Sequence, residues 1–190
     1  MSNEFNYEGY ITTPEEILQI HKVVSCLYAQ TDCVKVENTD EETSLIGEHV
    51  GSHIIPANTL LKGFGLRMRM KGVISGITGT GVSIKVKLGG KNLLSSTKPL
   101  PVTFVDTVFK VDVDFTFREV GETGLIIGQG LSTITAGEEF ATSYVCPLKM
   151  STPIPIDTTQ DLAFDFTYQW VVADPDNSIT ATNATIELIR

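Results

Sequence analysis

Four stretches of this chain alternate apolar and polar residues with a period of two, and nothing else in the sequence constrains the fold as strongly. Leu66-Arg67-Met68-Arg69-Met70-Lys71 and Val82-Ser83-Ile84-Lys85-Val86-Lys87-Leu88 alternate strictly. Phe109, Val111, Val113, Phe115 and Phe117 share one parity against Lys110, Asp112, Asp114, Thr116 and Arg118. Leu162, Phe164, Phe166, Tyr168 and Trp170 alternate with Ala163, Asp165, Thr167 and Gln169. Successive side chains of a strand point to opposite faces, so each stretch reads as a strand with one buried face. Gly76, Gly79 and Gly81 between the first two supply positive-φ positions for a turn, which predicts an antiparallel hairpin. Weaker strand signals cover residues 53–61, 124–135, 143–150 and 178–189, with turn signals at Thr97-Lys98-Pro99 and Asp174-Pro175-Asp176-Asn177. Roughly eight strands with no helices between them predict a mainly β fold, an antiparallel two-sheet β-sandwich with jelly roll as the leading topology.

The N-terminal stretch carries a different period. Thr13-Pro14-Glu15-Glu16 places a capping hydroxyl, a proline and an acidic side chain where a helix start uses them. Ile17, Ile20, Val24, Leu27 and Tyr28 follow at helical spacing, so one amphipathic helix is expected over residues 13–30. Its stripe packs either on its own domain or a second copy, or else docks on another protein. Phe5, Tyr7 and Tyr10 stand in a polar arm upstream. Residues 34–48 hold Glu37, Asp40, Glu41, Glu42 and Glu48 among few large apolar residues, which reads as an acidic linker or a long solvated loop. The expected division is therefore an arm, helix and linker over 1–48, serving attachment or oligomerisation, and a sandwich body over 49–190.

Charge narrows the partners. The 190 residues carry 14 basic and 23 acidic side chains, a net −9, which argues against coating nucleic acid or anionic membranes. Residues 1–10 contain neither a basic cluster nor a long apolar run, so no secretory signal and no membrane insertion are expected. Cys26, Cys33 and Cys146 are too few and too irregularly spaced for a disulfide scaffold or a zinc motif, and are expected as free thiols made in a reducing cytosol.

No chemical motif rises above this background. Gly76-Ile77-Thr78-Gly79-Thr80-Gly81 lacks the lysine and the following helix of a phosphate loop. His49 and His53, with Glu48 beside them, lack a third good ligand, so no metal site is expected. None of the three histidines lies in the context of a nucleophile and its base, and Asp112/Asp114 or Glu138/Glu139 read as ordinary strand and loop acids. The expectation is a non-enzyme without a cofactor. Asn183-Ala184-Thr185 matches a glycosylation sequon, a chance match without a secretion signal. The conspicuous charge feature is the expected hairpin, whose outer face would gather Arg67, Arg69, Lys71, Lys85 and Lys87. Either acids on neighbouring strands, such as Asp112 and Asp114 or Asp161 and Asp165, pair with them, or the face binds an anionic partner. The acidic stretch before residue 50 is a further candidate to meet this basic face, within one chain or between neighbours.

Ile55-Pro56-Ala57-Asn58-Thr59-Leu60, then residues 68–77 and Ile84-Lys85-Val86-Lys87-Leu88-Gly89-Gly90, resemble a run found in β-sandwich structural proteins of tailed bacteriophage virions. Residues 156–165, Tyr168-Gln169-Trp170, Asp176-Asn177-Ser178-Ile179-Thr180 and residues 182–188 are similar to the closing strands of such proteins. The resemblance covers about residues 50–190. It implies a jelly-roll-like body, no catalytic residues to carry over, and a homotrimer made in the host bacterial cytoplasm and placed in the virion as head fibre, capsid decoration or tail component. Other virion proteins are the implied partners, with Phe5, Tyr7, Tyr10, Ile17, Ile20, Val24, Leu27 and Tyr28 as the attachment or oligomerisation segment. The alternative is the carbohydrate- or receptor-binding head of a tail fibre, with a host surface glycan as ligand.

Overall fold

The alternating segments become strands whose apolar parity is buried, and the strands pair into two antiparallel sheets. The computed structural model describes residues 24–136 and 142–189. Among these residues there is no helix. The strands are β1 (Val24–Gln30), β2 (Val34–Glu37), β3 (Thr43–Ser44), β4 (His49–Gly51), β5 (Ile54–Ile55), β6 (Gly65–Gly76), β7 (Gly81–Leu88), β8 (Lys91–Pro99), β9 (Phe104–Glu119), β10 (Gly124–Ala136), β11 (Thr142–Lys149), β12 (Ile154–Ile156), β13 (Leu162–Trp170) and β14 (Ser178–Ile189). The larger sheet runs β11-β10-β9-β6-β14-β1-β4, with β12 also on β10 and β2 also on β14; the smaller runs β3-β13-β7-β8, with β5 on β13. Leu66, Met68 and Met70 of one sheet and Val86, Leu88, Phe164 and Phe166 of the other belong to a single buried core. The expected two-sheet antiparallel sandwich is present. A jelly roll sends most successive strands to alternate sheets, whereas β9, β10 and β11 form a meander within one.

The expected hairpin between residues 66–71 and 82–88 does not form. β6 pairs with β9 and β14, and β7 with β8 and β13, so the two strands belong to opposite sheets. Residues 77–80 carry the chain between the layers through a turn in which Thr80 N–H donates to Ile77 O at 3.1 Å and Gly79 takes φ 83°. Both strands have a continuous apolar parity, and placing them in facing layers lets those rows meet across the core. The arrangement also separates five cations that a hairpin would have set on one face.

The helix expected over residues 13–30 is corrected at its C-terminal end: Val24–Gln30 is strand β1, while residues 13–23 lie outside the described residues. Val24, Leu27 and Tyr28 suit a helical stripe, but they also suit a strand with one extra residue. The β1–β14 register slips between Cys26 and Tyr28, and the carbonyl of the extra residue, Leu27, accepts from Ser52 N–H at 2.6 Å. The tertiary cause is the edge of β14, whose backbone groups from Thr185 to Ile189 take β1 as their partner.

Residues 34–48, read from sequence as a linker, also lie in the sandwich. β2 pairs with β14 in the larger sheet and β3 with β13 in the smaller, so this stretch straps the two layers together. Val36 and Leu45 are buried, and Leu45 N–H donates to Phe166 O at 2.9 Å. Acidic residues dominate its composition because its other side faces solvent; two well-placed apolar side chains suffice to anchor it.

The hairpin that does follow β7 is β7–β8. Gly89 and Gly90 take φ 56° and 75°, the pair of positive values that a two-residue turn between right-twisted strands requires.

Candidate functional site

The chemistry-bearing side chains gather on the outer faces of the two sheets, where strand parity puts them. On the larger sheet Arg67 stands between Asp114 of β9 and Glu187 of β14 in one cross-strand row. Arg67 Nε donates to Asp114 Oδ1 at 2.7 Å, and its Nη1 lies 3.9 Å from Glu187 Oε2. The hydrogen bond and charge of Asp114 raise the Arg67 pKa further above its ordinary value. In the next row Arg69 Nε lies 3.8 Å from Asp112 Oδ1 and Arg69 Nη1 lies 4.0 Å from Glu187 Oε1, while Lys110 pairs with Asp112. Lys71 lies directly across from Lys110 and has no acidic partner among the described residues. Arg67, Arg69, Lys71, Lys110, Asp112 and Asp114 thus line a shallow basin of about 360 Å³.

Lys85 and Lys87 lie on the outer face of the smaller sheet, away from this row. Both ammonium groups pair with the Glu42 carboxylate, which also accepts from Thr167 Oγ1 at 2.7 Å. Glu42 comes from the acidic strap, so the expected meeting of acidic segment and basic face occurs within one chain, for two of the five cations. Ser44 Oγ donates to Asp165 Oδ1 at 2.6 Å and Gln169 Nε2 to Asp40 O at 2.9 Å, which hold the same strap down. The hydrogen bonds from Lys85, Lys87 and Thr167 hold the Glu42 carboxyl at about 2, below its ordinary 4.5. A carboxyl depressed in the folded state stabilises above pH 4.5 and loses that contribution as pH falls toward 2. Because the pair is solvent-screened, the contribution is about 1 kcal/mol. Glu42→Gln should therefore unfold at lower urea at neutral pH, with the gap to the parent protein closing near pH 2. A gap independent of pH would rule out this role for the ion pairs.

A third group surrounds the end of the strap. His49 and His53 meet edge to face with ring centroids 5.2 Å apart, and His49 lies 4.7 Å from the Tyr28 ring. His49 Nδ1 is 2.9 Å from Gly47 O, and Tyr28 Oη accepts from Gly47 N–H at 3.2 Å. Among the described residues no three His, Cys, Asp or Glu side chains gather as a metal site would require. Cys26, Cys33 and Cys146 are free thiols.

No family model matches the chain, and no curated protein does. Solved structures give weak likenesses in fold. A CBM2 module of the evolved Dit of Lactobacillus casei BL23 phage J-1 is 11% identical with a TM-score of 0.38, covering 85% of this chain and 75% of that one. An insecticidal delta-endotoxin from Bacillus thuringiensis is 12% identical with a TM-score of 0.37, over 82% of this chain and 19% of the toxin. A structure of infectious bursal disease virus, Gt strain, is 10% identical with a TM-score of 0.36, over 88% of this chain and 33% of that one. The chain thus spans about a fifth of the toxin chain and a third of the viral one.

Of the residues singled out from sequence, Phe5, Tyr7, Tyr10, Ile17 and Ile20 lie outside the described residues. Val24, Leu27 and Tyr28 belong to β1, with Leu27 packed against the core and Tyr28 inside it. Arg67, Arg69 and Lys71 remain together, and Lys85 and Lys87 form a separate group. Sequence reasoning reached the acidic stretch that holds Glu42 without singling out that residue, and it missed Glu187. Glu187 was signalled by its outward parity between Ile186 and Leu188; Glu42 had no local signal, because its partners are more than forty residues away.

Proposed function

We propose that the chain is a non-enzymatic structural component of a bacteriophage virion, a head fibre or capsid decoration protein that self-assembles through the sandwich as a homotrimer. Its N-terminal segment, with Phe5, Tyr7, Tyr10, Ile17 and Ile20, attaches it to other virion proteins. The observation that carries this reading is how the charged groups are used. Arg67, Arg69, Lys85, Lys87, Asp112, Asp114 and Glu42 are tied to one another across strands, which suits a rigid displayed body. The sequence resemblance over residues 50–190 supplies the setting. Gold labelling of the tagged chain on purified particles should mark regular positions on the virion surface. Label recovered only in the soluble lysate overturns the proposal.

A second reading, a carbohydrate- or receptor-binding head, is favoured by the basin on the larger sheet, where Lys71 faces Lys110 without an acid of its own among the described residues. Under this reading a glycan array probed with the intact chain shows binding to acidic sugars that Lys71→Glu abolishes. An array without signal removes it and leaves the architectural role.

A further inference from the structure

The outer face of the larger sheet continues beyond the charged basin. Strand pairing sets Lys71, Lys110, Thr133 and Val145 in one row across β6, β9, β10 and β11, with Leu131 and Val108 in the rows on either side. Leu131, Val145 and Val108 are 50%, 55% and 56% exposed, so three apolar side chains gather on one face rather than standing singly. Lys71 has no acidic partner among the described residues, and neither has Lys149, which ends β11 on the same face. The face therefore suits an occupant that mixes aromatic or aliphatic side chains with carboxylates.

The chain carries such a segment outside the described residues. Glu4-Phe5-Asn6-Tyr7-Glu8-Gly9-Tyr10 sets two carboxylates among three aromatic rings, and residues 1–23 hold four acidic side chains against a single lysine, Lys22. The direction of β1 selects which copy receives it. β1 and β6 both run antiparallel to β14, so they are parallel to each other, with Val24 and Gly65 both opposite Ile189. Lys71 lies about 20 Å along β6 from that end. β1 thus directs the residues before Val24 past the end of the sheet, away from their own basin. Fully extended, the stretch from Phe5 to Val24 spans up to about 60 Å, more than the roughly 40 Å diameter of a domain this size. We infer that residues 4–10 dock on the outer face of β9, β10 and β11 of a second copy, the aromatic rings on Leu131, Val145 and Val108 and the carboxylates on Lys71 and Lys149. A head-to-tail contact of this kind, repeated between copies, closes into a ring. The inference rests on the self-assembly reading above and extends the arm's role from attachment to holding copies together.

Full chains carrying Phe5→p-benzoylphenylalanine, mixed from 15N-labelled and unlabelled copies and re-equilibrated, should crosslink on irradiation to peptides of β9, β10 or β11, with the two halves of a crosslink drawn from different copies. In sedimentation equilibrium a chain lacking residues 2–12 should associate at least tenfold more weakly, and Leu131→Asp, at an exposed position, about tenfold more weakly. Lys71→Glu with Lys149→Glu should weaken association, and adding Glu4→Lys with Glu8→Lys should restore it. Neither a folding defect nor an acidic sugar bound at Lys71 would give that rescue. A chain lacking residues 2–12 that associates as tightly as the full chain overturns the inference and leaves self-assembly through another surface; a full chain that stays monomeric overturns both. Crosslinks confined within one copy, crosslinks outside β9–β11, or a charge swap without rescue also overturn it.

Discussion

Replacing Tyr28 by alanine should lower the free energy of unfolding by about 3–5 kcal/mol, the range for deleting a large buried aromatic side chain. Tyr28 is 0% exposed and belongs to the segment that local periodicity assigns to a helix outside the body. Its ring carries His49, and its hydroxyl donates to Gln30 Oε1 at 3.0 Å and accepts from Gly47 N–H. Truncation therefore leaves a cavity and strips the Gly47 amide of its acceptor. Tyr28→Phe, which removes only the hydroxyl, should cost about 1 kcal/mol. Urea unfolding followed by tryptophan fluorescence would measure both. A loss below about 1 kcal/mol for the alanine variant would mean that β1 contributes nothing to the core.

Gly72→Ala is the second large effect, and here general propensity predicts the opposite sign. Alanine in place of glycine inside a strand ordinarily gains about 0.5–1 kcal/mol. At Gly72 the added methyl would fall on the carbonyl oxygen of Thr180 and 2.6 Å from the Phe109 ring. The cause is the bulge in β14: the register opposes Ala181 to Gly72 and Asn183 to Lys71, leaving Thr182 extra and pressing the neighbouring backbone against β6. Because β6 is held on both edges, by β9 and β14, it cannot shift away. A net loss of about 2–3 kcal/mol is expected in thermal or urea unfolding. A variant as stable as the parent would show that the bulge relaxes freely.

The bulge also explains a phase slip that the sequence displays openly. Ile179 and Ala181 are buried on one parity and Ala184, Ile186 and Leu188 on the other, with Thr182 and Asn183 both exposed between them. β8 was harder to read for the same reason. Its register slips opposite Val86 and Lys87, so that Leu93 and Leu94 are both buried, and the rest of this edge strand is polar. Thr97-Lys98-Pro99, read as a turn, is its last stretch. The Gly89-Gly90 pair before it was the available signal.

The charged residues divide in the same way. Arg67 and Arg69 were legible as outward-facing, and Asp112 and Asp114 as acids of the matching parity; the structure pairs them as Arg67 with Asp114 and Arg69 with Asp112. The sequence could not say that Lys85 and Lys87 face the opposite way, because that depends on which sheet receives β7.

What the sequence by itself determined is the face each residue presents, since a period of two encodes burial directly: Met68, Ile84, Val113, Phe166 and their parity mates all lie in the core. What only the tertiary structure decided is which strand each strand meets. Backbone hydrogen bonds carry no side-chain address, and any exposed strand edge can satisfy any other. The choice among edges falls to the joint packing of distant segments, which is how Val24–Gln30 leaves its local helical pattern for β14, and why β6 and β7, adjacent in the chain, face each other from opposite layers.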